Sequence, residues 1–275
     1  MLSPSPRSRG YTLIEVLVII GVVLIAIAFF IPFRIQCNRS SAGISCASNL
    51  RQIGQAILLY SDENGPAYPR TTYVPDASPI RGTGAPAGNP FVGNAVAPND
   101  VTAELFLLLR TQEIGREVFT CPSANEVMDT FGGGTNTAAN RSNFTDWTKN
   151  LSYSYTNPYP SAAAAKKGCK LTQGLHPEFA VAADRNPEIK LPGSDVTAIQ
   201  LNSTPQQMKL GNATNYDRDG QNVLFGDGHL EFLTQSFVGI KNDNIYTVSD
   251  DPATAHTSKV IAGSPSGVKD SVLLP

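Results

Sequence analysis

The chain is expected to fold as an α+β protein in which a long N-terminal membrane-spanning α-helix packs on a C-terminal antiparallel β-sheet domain with long loops. Two observations lead there. Residues 11–33 form an apolar run whose one charge is Glu15, and at about 1.5 Å of rise per residue such a helix reaches across a hydrocarbon core of about 30 Å. Downstream, the short runs LSYSYT, FAVAAD, NVLFGDGHLEFL and NIYTV have the length and aromatic or β-branched content of strands separated by turns.

Taken in order, residues 1–10 are a short polar leader with Arg7 and Arg9 and no acidic residue. Basic residues ahead of an apolar span keep the N-terminus cytoplasmic, so the chain is expected to cross the inner membrane once, in contact with lipid, with everything after Arg34 in the periplasm. Residues 34–64 continue the helix as a stalk. There Cys46, Leu50, Ile53, Ile57 and Tyr60 recur at helical spacing, an apolar stripe read as packing, with Asn64-Gly65-Pro66 as its stop. Cys37 and Cys46 stand about 13 Å apart along such a helix and cannot bridge. The globular domain is expected over 65–250. Within it, 68–100 reads as a long surface loop, and 101–114 as a helix capped by Asp100 and stopped by Gly115. Asp227-Gly228 signals a hairpin, because glycine accepts the positive φ of a tight turn. Residues 251–275 read as a polar tail.

Composition excludes several classes of function. A formal charge of -2 with no dense Lys/Arg block leaves no footprint for nucleic acid. The four cysteines, Cys37, Cys46, Cys121 and Cys169, contain no Cys-x-x-Cys pair and do not suggest zinc. In an oxidising compartment Cys121 and Cys169 are candidates for a disulfide. His176, His229 and His256 are far apart and no nucleophile, zinc-protease or phosphate-loop motif occurs, so no catalytic residue and no enzyme activity is expected. NYDRDG (215–220) matches the opening of a calcium loop with Asn at its first position. It would offer oxygens from Asn215, Asp217 and Asp219. The twelfth position is Gly226, so Asp227 could serve only along a different loop path. The alternative is a polar turn that leads into a strand and needs no cofactor.

Glu15 separates three readings of the apolar segment. A secretory signal would end at small residues such as Ala26-Ile27-Ala28, but Phe29-Phe30-Ile31 follows directly. A plain anchor leaves the carboxylate unexplained, since an unpaired one costs on the order of a few kcal/mol at mid-membrane. The third reading explains it. Arg9-Gly10 followed by Tyr11-Thr12-Leu13-Ile14-Glu15-Val16 resembles the prepilin-type cleavage and methylation motif of type IV pilins and type II secretion pseudopilins. The segments CPS, LSYSYTNPYP, AVAADRNP and GQNVLFGDGHLEFL resemble a C-terminal module of prepilin-processed proteins whose signature is a histidine, nine residues, then Asp-Gly. This chain departs from that signature, with Tyr216 near the histidine position and ten residues before Asp227.

The resemblance implies that prepilin peptidase cuts between Gly10 and Tyr11 and methylates the new amine on Tyr11. It also implies that Pro32 kinks the helix and that Glu15 meets such an amine during assembly. That amine would have an ordinary pKa of about 8 and stay cationic. The chain is then expected to be a pseudopilin-like structural subunit. Its partners would be other pseudopilin subunits and the inner-membrane secretion or pilus assembly machinery, and the family also keeps calcium open, because some secretion pseudopilins bind it. The alternative is a membrane-tethered extracytoplasmic binding module that is processed in the same way but never polymerises.

Overall fold

A computed structural model describes residues 11–83, 95–188, 196–248 and 263–275; the side chains of 28–42 also lie outside the described residues. The chain divides into two compact units, Met1–Gly43 and Ile44–Pro275. Helix α1 spans Leu13–Glu63, and its part up to Gly43 makes up the first unit.

The expected membrane-spanning helix is corrected here: among the described residues, no helix is long and apolar enough to cross a membrane. The apolar side chains described in the first unit run from 13 to 27. Gly10 lies outside the described residues, as does the side chain of Pro32 and with it the expected kink.

The second unit is α+β, with a five-stranded antiparallel sheet. Its strands are β1 (Tyr153–Thr156), β2 (Ala180–Asp184), β3 (Gln221–Phe225), β4 (Leu230–Leu233) and β5 (Leu273–Leu274), in the order β4-β3-β2-β1-β5. One face packs on α1 and on α2 (Val101–Thr111). The stripe read from the sequence is the contact face of α1: Cys46, Leu50, Ile53, Ile57 and Tyr60 are all buried. Their partners include Tyr153, Tyr155, Ala182 and Leu224. The opposite face carries Ala183, Val223 and Phe225 against Ile245 and Tyr246.

Register sets what α1 meets. Tyr155 lies opposite Ala182, Ala182 opposite Leu224 and Leu224 opposite Leu230, which makes an apolar row across four strands. The neighbouring row is polar: Tyr153 lies opposite Asp184 and Asn222 opposite Phe232. A bulge between Ala180 and Ala182 shifts the β2–β3 pairing, so Val181 and Ala182 both contribute to the α1-side core.

Local chemistry explains most boundaries. Asp100 caps α2 by accepting from Thr102 N (3.1 Å) and Ala103 N (3.2 Å). The helix stops at Thr111, short of Gly115, and Gln112 Nε2 donates to Glu63 Oε2 at 3.0 Å. The β3–β4 hairpin turns through Gly226, Asp227 and Gly228, one residue longer than a two-residue turn, with Gly228 left-handed at φ 86°. Phe225 N donates to His229 O (3.0 Å) and Gly228 N to Phe225 O (2.9 Å), the geometry of a three-residue loop with a glycine bulge. Three short helices, α3 (Trp147–Asn150), α4 (Ala162–Lys166) and α5 (Pro205–Met208), lie in the connections.

Two expected elements are corrected. NIYTV is no strand: Asn244 Oδ1 accepts from Tyr246 N (3.2 Å) and Asn244 O from Thr247 N (3.0 Å), a turn that ends extension. Ile245 O instead accepts from Leu273 N (2.8 Å), so this turn covers the outer edge of β5. The polar tail is likewise only partly a tail, since Ser271, Val272, Leu273 and Leu274 are buried and supply β5; residues 251–262 lie outside the described residues.

The Cys121–Cys169 disulfide is also corrected. Cys121 bonds Cys46, with Cα atoms 5.1 Å apart and 75 positions between them in sequence. Cys121 N donates to Ser152 Oγ (2.9 Å) and Ser152 N to Phe119 O (2.9 Å), which holds the FTCPS segment beside β1 where α1 passes. Cys169 is a free thiol, half-buried against Gly267 O at 3.4 Å, and burial raises its pKa to about 11. Replacing Cys46 and Cys121 together by serine is expected to cost about 4 kcal/mol in urea unfolding, the loop-closure value for a bridge across 75 positions. Cys169→Ser should change stability by less than about 1 kcal/mol, and the reverse ranking would contradict the Cys46–Cys121 pairing.

Candidate functional site

At the start of α1, Glu15 has a local role that its position in an apolar run conceals. Glu15 Oε2 accepts from Thr12 N (2.8 Å) and Thr12 Oγ1 (2.9 Å), and Thr12 Oγ1 accepts from Glu15 N (3.4 Å). That is a reciprocal capping box. Its Thr-x-x-Glu signature can be read in the sequence, and it satisfies one of the amides that every helix start leaves unpaired. Tyr11, directly ahead of the cap, is exposed. Every large apolar side chain from Leu13 to Ile27 is exposed too, around the whole helix.

In the second unit the polar row of the sheet closes over a buried carboxyl. Asp184 Oδ2 accepts from Asn222 N (2.6 Å) and Asn222 Nδ2 (3.0 Å), and its Oδ1 accepts from Asn215 Nδ2 (3.2 Å). Asn215 Nδ2 also donates to Ser152 O (3.1 Å), and Tyr246 Oη donates to the backbone oxygen of Asp184 (2.8 Å). Tyr216, near the position where the resembling module has histidine, accepts from Asn222 Nδ2 at 2.7 Å. Its oxygen lies 3.9 Å from Cys121 Sγ, and its ring meets Phe232 edge-on at 5.5 Å. Burial raises the pKa of the Tyr216 phenol, and the neighbouring Asp184 raises it further. A neutral phenol in this place braces the hairpin against the disulfide.

The residues of the calcium-loop reading are not drawn together. Asn215 is buried and turned to Ser152 and Asp184. Asp217 takes a left-handed backbone at φ 53°, Asp219 pairs with Lys209, and Asp227 pairs with His229 in the hairpin. The five residues of β3 separate Asp219 from Asp227 by roughly 15 Å, whereas ligands of one calcium ion lie within about 5 Å of each other. Among the described residues no group of three or more His, Cys, Asp or Glu side chains is placed to hold a metal. His176 Nδ1 accepts from Glu178 N (3.2 Å); His256 lies outside the described residues.

Asp184 was not singled out from the sequence, although one signal is there: it is an ionisable residue ending the apolar run FAVAA. Two effects oppose each other at this carboxyl. Burial disfavours its charge and the Asn222 donors favour it, with burial winning, so that its pKa is pushed up to about 7. The folded value lies above the unfolded value of about 3.9, so the stability Asp184 contributes is fully present below about pH 4 and is lost as pH rises through about 7. Asp184→Asn should flatten the stability profile between pH 5 and 7 by up to about 1.4 kcal/mol per pH unit. Urea unfolding at several pH values measures this, and parallel profiles for the two proteins would rule out Asp184 as the titrating group.

Comparison of the chain with protein-family models, with curated proteins and with solved structures finds no match.

Proposed function

We propose that this chain is a pseudopilin-like structural subunit, cut by prepilin peptidase after Gly10 and built with other copies into a type II secretion pseudopilus or a type IV pilus-like filament. The observation that carries this reading is the apolar surface of residues 13–27, exposed on every side of the helix. Exposed apolar surface that extensive calls for a partner, and parallel helices of further copies, each apolar all round, can bury one another in a filament core.

The cap geometry supports the same reading. Cleavage after Gly10 would leave a cationic amine on Tyr11, one residue ahead of the Thr12 cap. Glu15 Oε2 holds the cap, and the second oxygen of the carboxylate can receive the amine of its own chain or of a neighbour. In an apolar surround an unpaired charge penalises every wrong register. The Cys46–Cys121 disulfide supports an oxidising, extracytoplasmic compartment for the head.

Mass spectrometry of the mature protein is expected to find Tyr11 as the first residue, carrying an N-methyl group; an intact Met1 or a start at Phe29 would defeat the processing. Glu15→Gln separates capping from charge, because glutamine also completes a capping box. Both Glu15→Gln and Glu15→Val should lower the yield of crosslinked filament about tenfold or more, the factor equivalent to about 1.4 kcal/mol per contact. Full assembly by Glu15→Gln would reduce Glu15 to a cap. Processed chains that never crosslink to one another would favour the tethered module.

A further inference from the structure

Another buried acid of the head has fewer partners than Asp184. Glu104 sits in the first turn of α2 and is fully buried. Neither of its carboxyl oxygens completes a hydrogen bond. The one donor facing it is the Tyr159 hydroxyl, whose oxygen also accepts from Thr71 N (3.0 Å) and lies 2.7 Å from Thr71 Oγ1. The ionisable groups around it come from every neighbouring element: Tyr60 on α1, Tyr155 on β1, Tyr159 beyond β1, Asp100 at the α2 cap, and Arg70 in the segment between α1 and α2. Of these only Arg70 is both exposed and cationic.

A carboxylate in this cage would be an uncompensated charge, which an apolar interior resists strongly. Burial accordingly holds the Glu104 carboxyl well above the usual carboxylate range; the Tyr159 hydroxyl and the Arg70 charge oppose this, and the Asp100 charge adds to it. The native packing of α2 therefore favours the neutral form of Glu104. Every residue from Val101 to Leu109 is buried, so α2 cannot expose Glu104 without giving up its seat.

We propose that Glu104 is a proton-operated latch of the head: while protonated it keeps α2 seated against α1 and β1, and on losing its proton it leaves the core toward Arg70 and unseats α2. The device acts by local opening and makes the surface covered by α2 available at raised pH. In the unfolded or opened chain a glutamate titrates at about 4.3. Between that value and the higher native one, opening releases one proton, and the opening constant rises up to about tenfold per pH unit.

Hydrogen exchange at the Leu105–Leu109 amides of the full chain in detergent tests this, with the parent and Glu104→Gln compared at pH 5, 6, 7 and 8. The expected result is that the parent-to-variant ratio of opening constants grows up to about tenfold per pH unit, while the β2 and β3 amides show no such divergence. A ratio independent of pH overturns the latch. Because glutamine in this cage could unfold the head, the carbon resonance of the Glu104 carboxyl in the labelled parent is titrated as well. A midpoint in the ordinary range near 4.3 overturns the latch whatever the variant does, and a carboxyl still protonated at pH 7 supports it.

Discussion

The bond from Cys46 to Cys121 is the constraint from which the head is built. A helix held at one point can still rotate and slide. One turn further on, Asn49 Nδ2 donates to Thr120 O (2.9 Å) and to Tyr153 Oη (3.1 Å), which fixes the helical phase. With phase and height set, Leu50, Ile53 and Ile57 face the sheet as 3.6-residue periodicity requires, and Gly54 arrives over Leu224. A Cβ on Gly54 would stand 2.8 Å from Leu224 Cδ2, so the missing side chain lets α1 lie close at the crossing. The sheet turns an apolar row and a polar row toward the helix. The disulfide and Asn49 stand near the Tyr153 end of the polar row, and Gly54 stands over the apolar one.

Three of the buried acids differ in how far neighbouring donors compensate them. Asp184 has three N–H donors and joins β2, β3 and the turn before β3. Asp243 accepts from Ser271 N (2.9 Å) through one oxygen, while the other completes no hydrogen bond; burial and the nearby Asp270 charge raise its pKa to about 9. That contact fixes the segment leading into β5 beside the Asn244 turn. Glu104 has only the Tyr159 hydroxyl as a donor beside it. Uncompensated burial of a polar group costs on the order of 1–3 kcal/mol, and more for a charge, so the compensation falls as the group becomes more reliably neutral. Asp184, with three donors, is raised to about 7 and Asp243, with fewer, to about 9, while burial holds Glu104 well above the ordinary carboxylate range.

How much of this could be read in advance depended on whether the signal was local. The α1 stripe, the Asp100 cap, the left-handed Gly228 and four of the five strands are written in near-neighbour spacing, and these elements appeared within a few residues of expectation. The Cys46–Cys121 pairing was hidden because its partners are 75 positions apart and spacing contains no through-space information. NIYTV has strand composition, but Asn244 uses its side chain to turn the backbone. β5 has only two residues, too few to show alternation. The length of the N-terminal apolar run suggested a membrane crossing that the described helix does not support, and the Thr12–Glu15 cap lay unnoticed inside a motif already given another meaning.

Tyr216 sets the chemistry of the row beside Asp184. The turn that follows β3 has the left-handed Gly228, with the Asp227 side chain accepting from His229 N (3.0 Å). A histidine in place of Tyr216 could exchange a proton near neutral pH beside Asp184, which is pushed up to about 7. Two groups titrating together in one buried network would couple their protonation. Tyrosine removes that coupling, because burial and Asp184 both raise its pKa away from the physiological range. It keeps the hydrogen bond to Asn222 and adds an edge-on ring contact to Phe232. The hairpin is thereby held to the disulfide by a group whose charge does not change, and pH sensitivity in this row rests on Asp184 alone.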